Sequence, residues 1–254
     1  MPDGRISVKT AAKQATRAAL LQAATELLFE APSADPIGAL RPVDVVRRAV
    51  PPRSNGAFYN IWPTQADFRR DLLHHALSAE RIEVGDETSN AAVSLLTRPD
   101  FSLEETIRVA ATLNFEGLKA DPALRLKQAL WTRHSADPEI RELLAALYDG
   151  ATAMLVPMYT AALGRAGRRM RGSYTVAQMA VALTGLAEGL HLRWAVQPSA
   201  VPDDVGPPPD LERRPDEEDD DPPGDGEAGG GQWNLFASMA YVVITGMTEP
   251  IPSP

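Results

Sequence analysis

Apolar residues along most of this chain recur every three or four positions, and no segment alternates convincingly between apolar and polar residues. The stretch from Thr16 to Glu30 shows this spacing clearly. Its apolar positions are Leu20, Ala23, Ala24, Leu27 and Leu28. Spacing of this kind indicates an amphipathic α-helix, whereas strict alternation would indicate a strand. The sequence therefore predicts an all-α protein, with Thr16 as the N-cap of this helix.

Short helices are predicted in the N-terminal region, where proline and small polar residues set their ends. A helix over 42–49 is broken by the Pro51-Pro52 pair. Ser54 then caps a helix over 55–62, and a longer helix runs from Thr64 to about residue 83. Later helical patterns cover roughly 103–120, 122–135, 138–166, 174–196 and 232–247.

The charge of the chain is unevenly distributed. The formal net charge is −9 at pH 7, but residues 201–231 alone contribute −10, while residues 1–60 carry +3. A mildly basic end permits nucleic-acid binding there without proving it. The sequence has no cysteine, which excludes disulfides, iron–sulfur clusters and thiol catalysis.

The sequence contains no run of about 18 apolar residues, the length needed to span a membrane. Residues 1–17 are charged and no apolar run follows them, so we do not expect a secretory signal. We therefore expect a cytoplasmic protein without a membrane partner.

Residues 198–231 differ from the rest of the chain because they hold eight prolines, six glycines and no aromatic residue. Such a segment cannot bury enough apolar surface to offset the entropy of ordering, so we expect a disordered acidic insertion. The strongly apolar residues 232–247 that follow must dock on the rest of the protein. The predicted organisation is an N-terminal domain over 1–75 and a helical bundle over 76–254 that contains the insertion.

Three short helices within about 45 residues, with a tight break before the third, are typical of a helix-turn-helix module. The local sequence is more specific, because RAALLQAATELLFE, DVVRRA and SNGAFYNIWPTQADFRRDLL follow one another. Over residues 17–75 this series resembles the DNA-binding domain of the tetracycline-repressor-like (TetR) family of bacterial regulators. The resemblance is strongest over 54–73, and it implies that the third helix reads DNA in the major groove.

The residue types of the third helix suit contact with DNA. Gly56 has no Cβ, so the helix backbone can approach the DNA closely. Hydroxyl, amide and methyl groups on the early turns can meet base edges. They belong to Ser54, Asn55, Ala57 and Asn60. The Tyr59 hydroxyl, Arg41 and Arg53 are expected to contact phosphates, which position a protein without reading sequence.

Other basic residues extend the expected interface. Arg48 is a further candidate for a phosphate contact, and Lys9, Lys13 and Arg17 could form a basic N-terminal arm.

The chain departs from the TetR pattern at several positions. The family resemblance places Thr64 and Gln65 at the start of the fourth helix, where Gln65 replaces the lysine that usually contacts a phosphate. The turn over 49–53 is two residues longer than the usual one, and Pro42-Val43 replaces expected polar residues. Because of these departures, the sequence does not predict which DNA bases the protein prefers.

Methionine, aromatic and polar side chains gather on two consecutive predicted helices further along the chain, a mixture that suits a small-molecule pocket. The candidates are Trp131, His134, Tyr148, Met154, Met158 and Tyr159. Ordinary core packing is the alternative for any one of them.

A metal site is not expected. Glu188 and His191 have the spacing used by carboxylate di-iron bundles, but that site needs a second such pair and two further glutamates. No nucleophile elbow or phosphate loop occurs. We expect neither a cofactor nor an enzyme activity.

The interpretation that fits best is a transcriptional regulator with a helix-turn-helix domain and a ligand-sensing helical bundle. By family analogy it would be a homodimer joined through helices 174–196 and 232–247. It would bind a palindromic double-stranded DNA operator as a repressor and be released by a small-molecule effector. The alternatives are an interaction protein that kept the fold without reading DNA, and a helical-bundle enzyme.

Overall fold

A computed structural model describes residues 8–30, 36–76, 101–134, 136–208 and 232–252. These residues are almost entirely helical, so the predicted all-α class is confirmed. In that part of the chain, no helix has the length and apolar character needed to cross a membrane. The α-helices are α1 (Val8–Glu30), α2 (Pro36–Ala39), α3 (Pro42–Arg48), α4 (Asn55–Tyr59), α5 (Gln65–Ala76), α6 (Leu103–Ala120), α7 (Pro122–His134), α8 (Pro138–Arg165), α9 (Val176–Val196) and α10 (Leu235–Met247).

Side chains cap the starts of several helices. The Thr175 side chain accepts a hydrogen bond from the Gln178 backbone N–H, and the Gln178 side chain accepts one from the Thr175 N–H. This reciprocal capping box satisfies two donors that a helix start leaves free. The Asn234 side chain caps α10 by accepting from the Ala237 N–H at 2.7 Å.

Helix α1 begins eight residues before the predicted start, so the assignment of Thr16 as an N-cap is wrong. Thr16 lies inside α1, where its hydroxyl donates to the Ala12 carbonyl at 3.0 Å. Residues 8–15 read VKTAAKQA, and alanine, lysine and glutamine all favour helix. Their high helix propensity extends the helix without a regular apolar face.

The structure contains two short strands that the sequence pattern does not predict. β1 (Arg168–Met170) pairs antiparallel with β2 (Thr248–Pro250), so that Arg169 lies opposite Glu249. The buried Arg168 guanidinium donates through Nε to the Thr248 hydroxyl at 2.8 Å. Strands of three residues are too short to show an alternating pattern, so periodicity could not find them.

The chain divides into two compact units. The N-terminal unit comprises Met1–Gly85 and Asp121–Leu147, and the C-terminal unit comprises Asp86–Ala120 and Tyr148–Pro254. The sequence predicts one domain boundary near residue 75, but the N-terminal core also includes residues of α7 and of the start of α8. Leu126, Leu130, Ile140 and Leu144 share one buried cluster with the apolar residues of α1, α3, α4 and α5.

The C-terminal unit is built around α6, α9 and α10. Phe115 of α6 stacks on Phe236 of α10 with ring centroids 5.4 Å apart. A neighbouring cluster joins Ile107, Met179 and Ile244. Because α10 contributes to both clusters, the apolar final helix is docked as the sequence required.

The first part of the predicted disordered insertion has a defined structure. Pro198–Ala200 form a 3-10 helix, and Val201 is only 2% exposed among the residues around Phe115. Lys119 Nζ pairs with Asp203 Oδ1 at 2.6 Å. A single apolar anchor and an ion pair thus order residues that composition alone assigned to disorder. The rest of the insertion, 209–231, lies outside the described residues.

Backbone hydrogen bonds join the segments on either side of the insertion. The Val205 N–H donates to the Trp233 carbonyl at 2.9 Å, and the Leu235 N–H donates to the Pro202 carbonyl at 3.2 Å. The chain therefore leaves for the insertion and returns from it at the same place.

Candidate functional site

The third helix of the helix-turn-helix, α4, is short and defined at both ends. The Ser54 hydroxyl accepts a hydrogen bond from the Ala57 N–H at 3.1 Å, which confirms Ser54 as an N-cap. Asn60 follows the last helical residue, and its N–H donates to the Gly56 carbonyl at 3.0 Å. The Arg53 N–H donates to the Val46 carbonyl at 2.9 Å, which ties the long turn back to α3.

An aromatic cluster fixes α4 to the N-terminal unit. Phe58 is completely buried, and its ring lies 5.1 Å from that of Trp62 and 4.8 Å from that of Phe68. Trp62 Nε1 donates to Asp71 Oδ2 at 2.7 Å, and Arg17 Nε donates to the same carboxylate oxygen at 2.7 Å. The cluster and this shared carboxylate hold α4 against α5 and α1.

The opposite side of α4 carries the predicted base-reading residues, and it faces outward. Asn55, Gly56 and Asn60 are exposed, while Ala57 is partly buried. Tyr59 is 50% exposed, and its ring lies edge-on against Phe58 at 5.4 Å. The helix is therefore anchored by aromatic rings on one face and presents amide and phenol groups on the other.

No intramolecular contact within the structure requires glycine at position 56. A Cβ added there would meet only the Ser54 Oγ, at 3.7 Å, which is an ordinary contact distance. Glycine inside a helix destabilises it by about 0.5–1 kcal/mol relative to alanine. The side chain is thus absent where the fold has room for one, on the exposed face of α4.

Several of the arginines predicted to contact phosphates already form ion pairs within the protein. Arg41 pairs through two hydrogen bonds with Asp44, and the guanidinium holds the pKa of that carboxyl below its ordinary value. Arg48 donates to Glu26 and Glu30 of α1, so its charge braces α3 against α1. Arg17 is likewise committed to Asp71 rather than to a free arm.

Arg53 stands apart from these committed arginines. Its Nε is buried and has no hydrogen-bond partner among the described residues. A buried donor left without an acceptor costs about 1–3 kcal/mol. Arg53 thus holds an unused donor at the entrance to α4.

Arg47 was missed by the sequence reading. It is exposed in the last turn of α3 and forms no ion pair in the described part of the chain. Lys9 and Lys13 are exposed on α1, as part of a regular helix rather than an arm. Helical spacing on the polar face of α3 could have identified Arg47, because it lies three residues after Asp44.

The residues predicted at the start of α5 have separate roles in the fold. The Thr64 hydroxyl donates to Asp67 Oδ2 at 2.6 Å and accepts from the Asp67 N–H at 3.1 Å. This pairing caps α5, so the hydroxyl is already engaged. Gln65 is exposed at the first position of the helix.

The six predicted pocket residues are scattered. Trp131 and His134 belong to α7 of the N-terminal unit, where Trp131 is largely exposed and the His134 side chain lies outside the described residues. The other four, Tyr148, Met154, Met158 and Tyr159, lie on α8 in the C-terminal unit. Met154 is exposed and Met158 is partly buried.

Tyr148 and Tyr159 have different environments on α8. The Tyr148 hydroxyl donates to Glu188 Oε2 at 2.8 Å. Burial, and to a smaller extent this hydrogen bond, raises the pKa of Tyr148 above its ordinary value. Of the predicted pocket residues, only Tyr159 lines the cavity of about 340 Å³ that the C-terminal unit contains. No group of three or more histidine, aspartate or glutamate side chains in the described residues could hold a metal ion.

Comparison with known proteins identifies a similar domain. Residues 103–206 match the family described as BetI-type transcriptional repressor, C-terminal. No curated protein matches the chain.

Several solved structures are distantly similar to this chain. One, described as a TetR-family transcriptional regulator from Rhodococcus sp., is 21% identical over 72% of this chain and 89% of its own, with a TM-score of 0.41. One from Shewanella sp. PV-4, described as a TetR-family transcription regulator, is 14% identical over 72% and 87%, with a TM-score of 0.45. NalD, the secondary repressor of the MexAB-OprM multidrug efflux pump in Pseudomonas aeruginosa, is 20% identical over 74% and 88%, with a TM-score of 0.43.

Proposed function

We propose that this chain, whose residues 103–206 match the C-terminal domain of BetI-type transcriptional repressors, is a TetR-like repressor that binds a palindromic operator as a homodimer until a small molecule releases it. The observation that carries the DNA-binding part is the exposed face of α4, rigidly anchored from behind and lacking a side chain at Gly56. Both features suit a helix that enters the major groove, because base edges are read at close and fixed range.

The groups around α4 divide into two sets by the DNA atoms they can reach. The amides of Asn55 and Asn60 can bond base edges, and the Ala57 methyl can contact a thymine methyl. Arg53 is only partly buried, neither Arg53 nor Arg47 has an ion pair within the described residues, and the phenol of Tyr59 is half exposed. These three suit phosphate contacts, which position the protein without specifying sequence.

The proposed dimer uses the outward faces of α9 and α10. Val181, Leu192 and Val196 of α9 are 61%, 50% and 78% exposed. A Cβ added at Gly185 or Gly189 would meet nothing within 4 Å. The face is therefore apolar and, at its centre, flat enough for another helix to pack closely. A second copy of the same face is the simplest partner, since closed two-fold dimers are the commonest oligomers.

Gly56→Ala tests the DNA-binding face most directly, because its two effects have opposite signs. We expect the free energy of unfolding to rise by up to about 1 kcal/mol, because alanine favours helix and the new methyl meets no clash. We expect affinity for DNA selected by the wild-type protein to fall at least about tenfold, because the methyl would stand between the backbone and the bases. Urea unfolding and fluorescence anisotropy measure the two quantities.

Gly150→Ala is the matched control for that variant. Gly150 is an exposed helical glycine of α8, and an added Cβ there also meets nothing within 4 Å. It should gain comparable stability with unchanged DNA affinity. Unchanged DNA affinity in Gly56→Ala itself would contradict the proposed face and favour an interaction protein that reads no DNA.

Phosphate and base contacts should respond differently to salt and sequence. Arg53→Ala is expected to weaken binding to all DNA sequences and to reduce the slope of log affinity against log salt by about 0.9, the value for one phosphate contact. Asn55→Ala is expected to change sequence preference and leave that slope unchanged. Titrations of selected and scrambled DNA at several salt concentrations measure both. Equal slopes for the two variants would refute the division.

A further inference from the structure

The C-terminal unit contains a cavity of about 340 Å³ that the sequence reading did not locate. Apolar residues from four helices form its walls, among them Ile107 of α6, Leu163 of α8, Met179 of α9 and Ile244 of α10. Its volume lies near the lower end of the range of about 300–1,000 Å³ that is usual for small-molecule sites. The walls therefore suit a compact apolar body.

The polar groups of the cavity are the Thr106 hydroxyl of α6 and two side chains of α8, Tyr159 and Arg165. Tyr159, Ala162 and Leu163 line it at the spacing of one helix face, and Ala166, directly after the helix, also lines it. The Tyr159 hydroxyl makes no hydrogen bond to any described residue, and burial raises the pKa of Tyr159 to about 12. The phenol is therefore protonated at neutral pH, so an occupant of the cavity could accept its hydrogen.

The one charged residue of the described lining is Arg165, near the end of α8. It is exposed and has no ion pair in the described part of the chain. No aspartate or glutamate lines the cavity among the described residues. The lining thus combines an apolar interior with an uncompensated positive charge and an unused hydrogen-bond donor.

We propose that this cavity binds a small molecule with an apolar body and a single carboxylate, which pairs with Arg165 while the body lies against Ile107, Met179 and Ile244. A carboxylate is favoured over an alcohol or an amine because guanidinium pairs with it through charge-assisted hydrogen bonds, whereas it repels an ammonium. As a statement about the effector, this inference rests on the proposed function; as a statement about binding, it stands independently.

Matched probes test the chemistry of the occupant. Binding of decanoate, 2-naphthoate, decanol and decyltrimethylammonium to the whole protein is measured by calorimetry without DNA. We expect one or both carboxylates to bind about tenfold more tightly than decanol, as expected for one charged hydrogen bond. Decyltrimethylammonium should bind most weakly.

Variants then assign the contacts. Arg165→Gln should remove the tenfold advantage of the carboxylate and leave decanol binding unchanged. Arg169→Gln is the matched control, since Arg169 is an exposed neighbour that pairs with Glu249 and does not line the cavity. Ala162→Leu, which fills the cavity, should weaken carboxylates and decanol together, while circular dichroism confirms that each variant stays folded.

Three results would overturn the inference: no binding of either carboxylate, equal affinity for decanoate and decyltrimethylammonium, or an unchanged carboxylate affinity in Arg165→Gln. The effector role is tested separately by adding the tighter carboxylate to the protein bound to its selected DNA. Binding that follows the expected order without any release of DNA would support the cavity inference and contradict the effector part of the proposed function.

Discussion

Gly189→Arg is expected to convert the dimer into a monomer and to lower affinity for a palindromic operator at least about 100-fold, because it would bury an unpaired charge between two helices. Gly189 lies on the exposed face of α9, between Gly185 and Leu192. A Cβ at this position meets nothing within 4 Å. The arginine should therefore leave the fold of one subunit intact, so its whole effect falls on association.

Sedimentation velocity at micromolar concentration measures the oligomeric state, and anisotropy with the selected operator measures DNA affinity. Gly150→Arg supplies the control, because it places the same side chain at an exposed helical glycine of α8 instead of α9. We expect that control to remain dimeric and to bind DNA normally. If the Gly189→Arg protein stayed dimeric, the dimer interface would have to lie on another surface.

Phe58→Ala is expected to reduce the free energy of unfolding by about 3–5 kcal/mol, the usual cost of removing a buried phenylalanine ring. Phe58 is completely buried and contacts both Trp62 and Phe68. Its loss would release α4 from the rest of the N-terminal unit. DNA binding should then disappear even where most of the protein stays folded.

Urea unfolding followed by tryptophan fluorescence measures this change, since Trp62 lies against the missing ring. Tyr59→Ala, on the next residue of the same helix, is the control. It removes a half-exposed ring and should lose about 1 kcal/mol at most, mainly from the edge-on contact with Phe58. If Phe58→Ala lowered the free energy of unfolding by less than about 1 kcal/mol, the aromatic cluster would not be the anchor of α4.

The helix-turn-helix could be predicted because local signals define it. Ser54 caps α4 through its own hydroxyl, and the Pro51-Pro52 pair ends α3, so neighbouring residues suffice. The later helices were predicted to within about three residues at either end for the same reason. Where such signals were absent, as before Thr16, high propensity lengthened the helix and the predicted start was wrong.

Contacts between distant residues could not be predicted from local patterns. Asp71 accepts hydrogen bonds from both Arg17 and Trp62, which determines that Arg17 braces the core instead of reaching DNA. The packing of 121–147 on the N-terminal helices likewise depends on tertiary contacts. The cavity could not be predicted because its lining comes from four helices that are distant in sequence. Only Tyr159 belongs both to this lining and to the six pocket residues predicted from the sequence.

The hydrogen bonds that join Val205 to Trp233 and Pro202 to Leu235 have a consequence for how this gene can vary. For a flexible loop between two fixed ends, the free-energy cost of closure rises by only about 0.6 kcal/mol for each doubling of its length. Insertions, deletions and changes of composition in 209–231 should therefore accumulate with little effect on the docking of α10. The same position offers a permissive place to insert a fluorescent protein or an affinity tag.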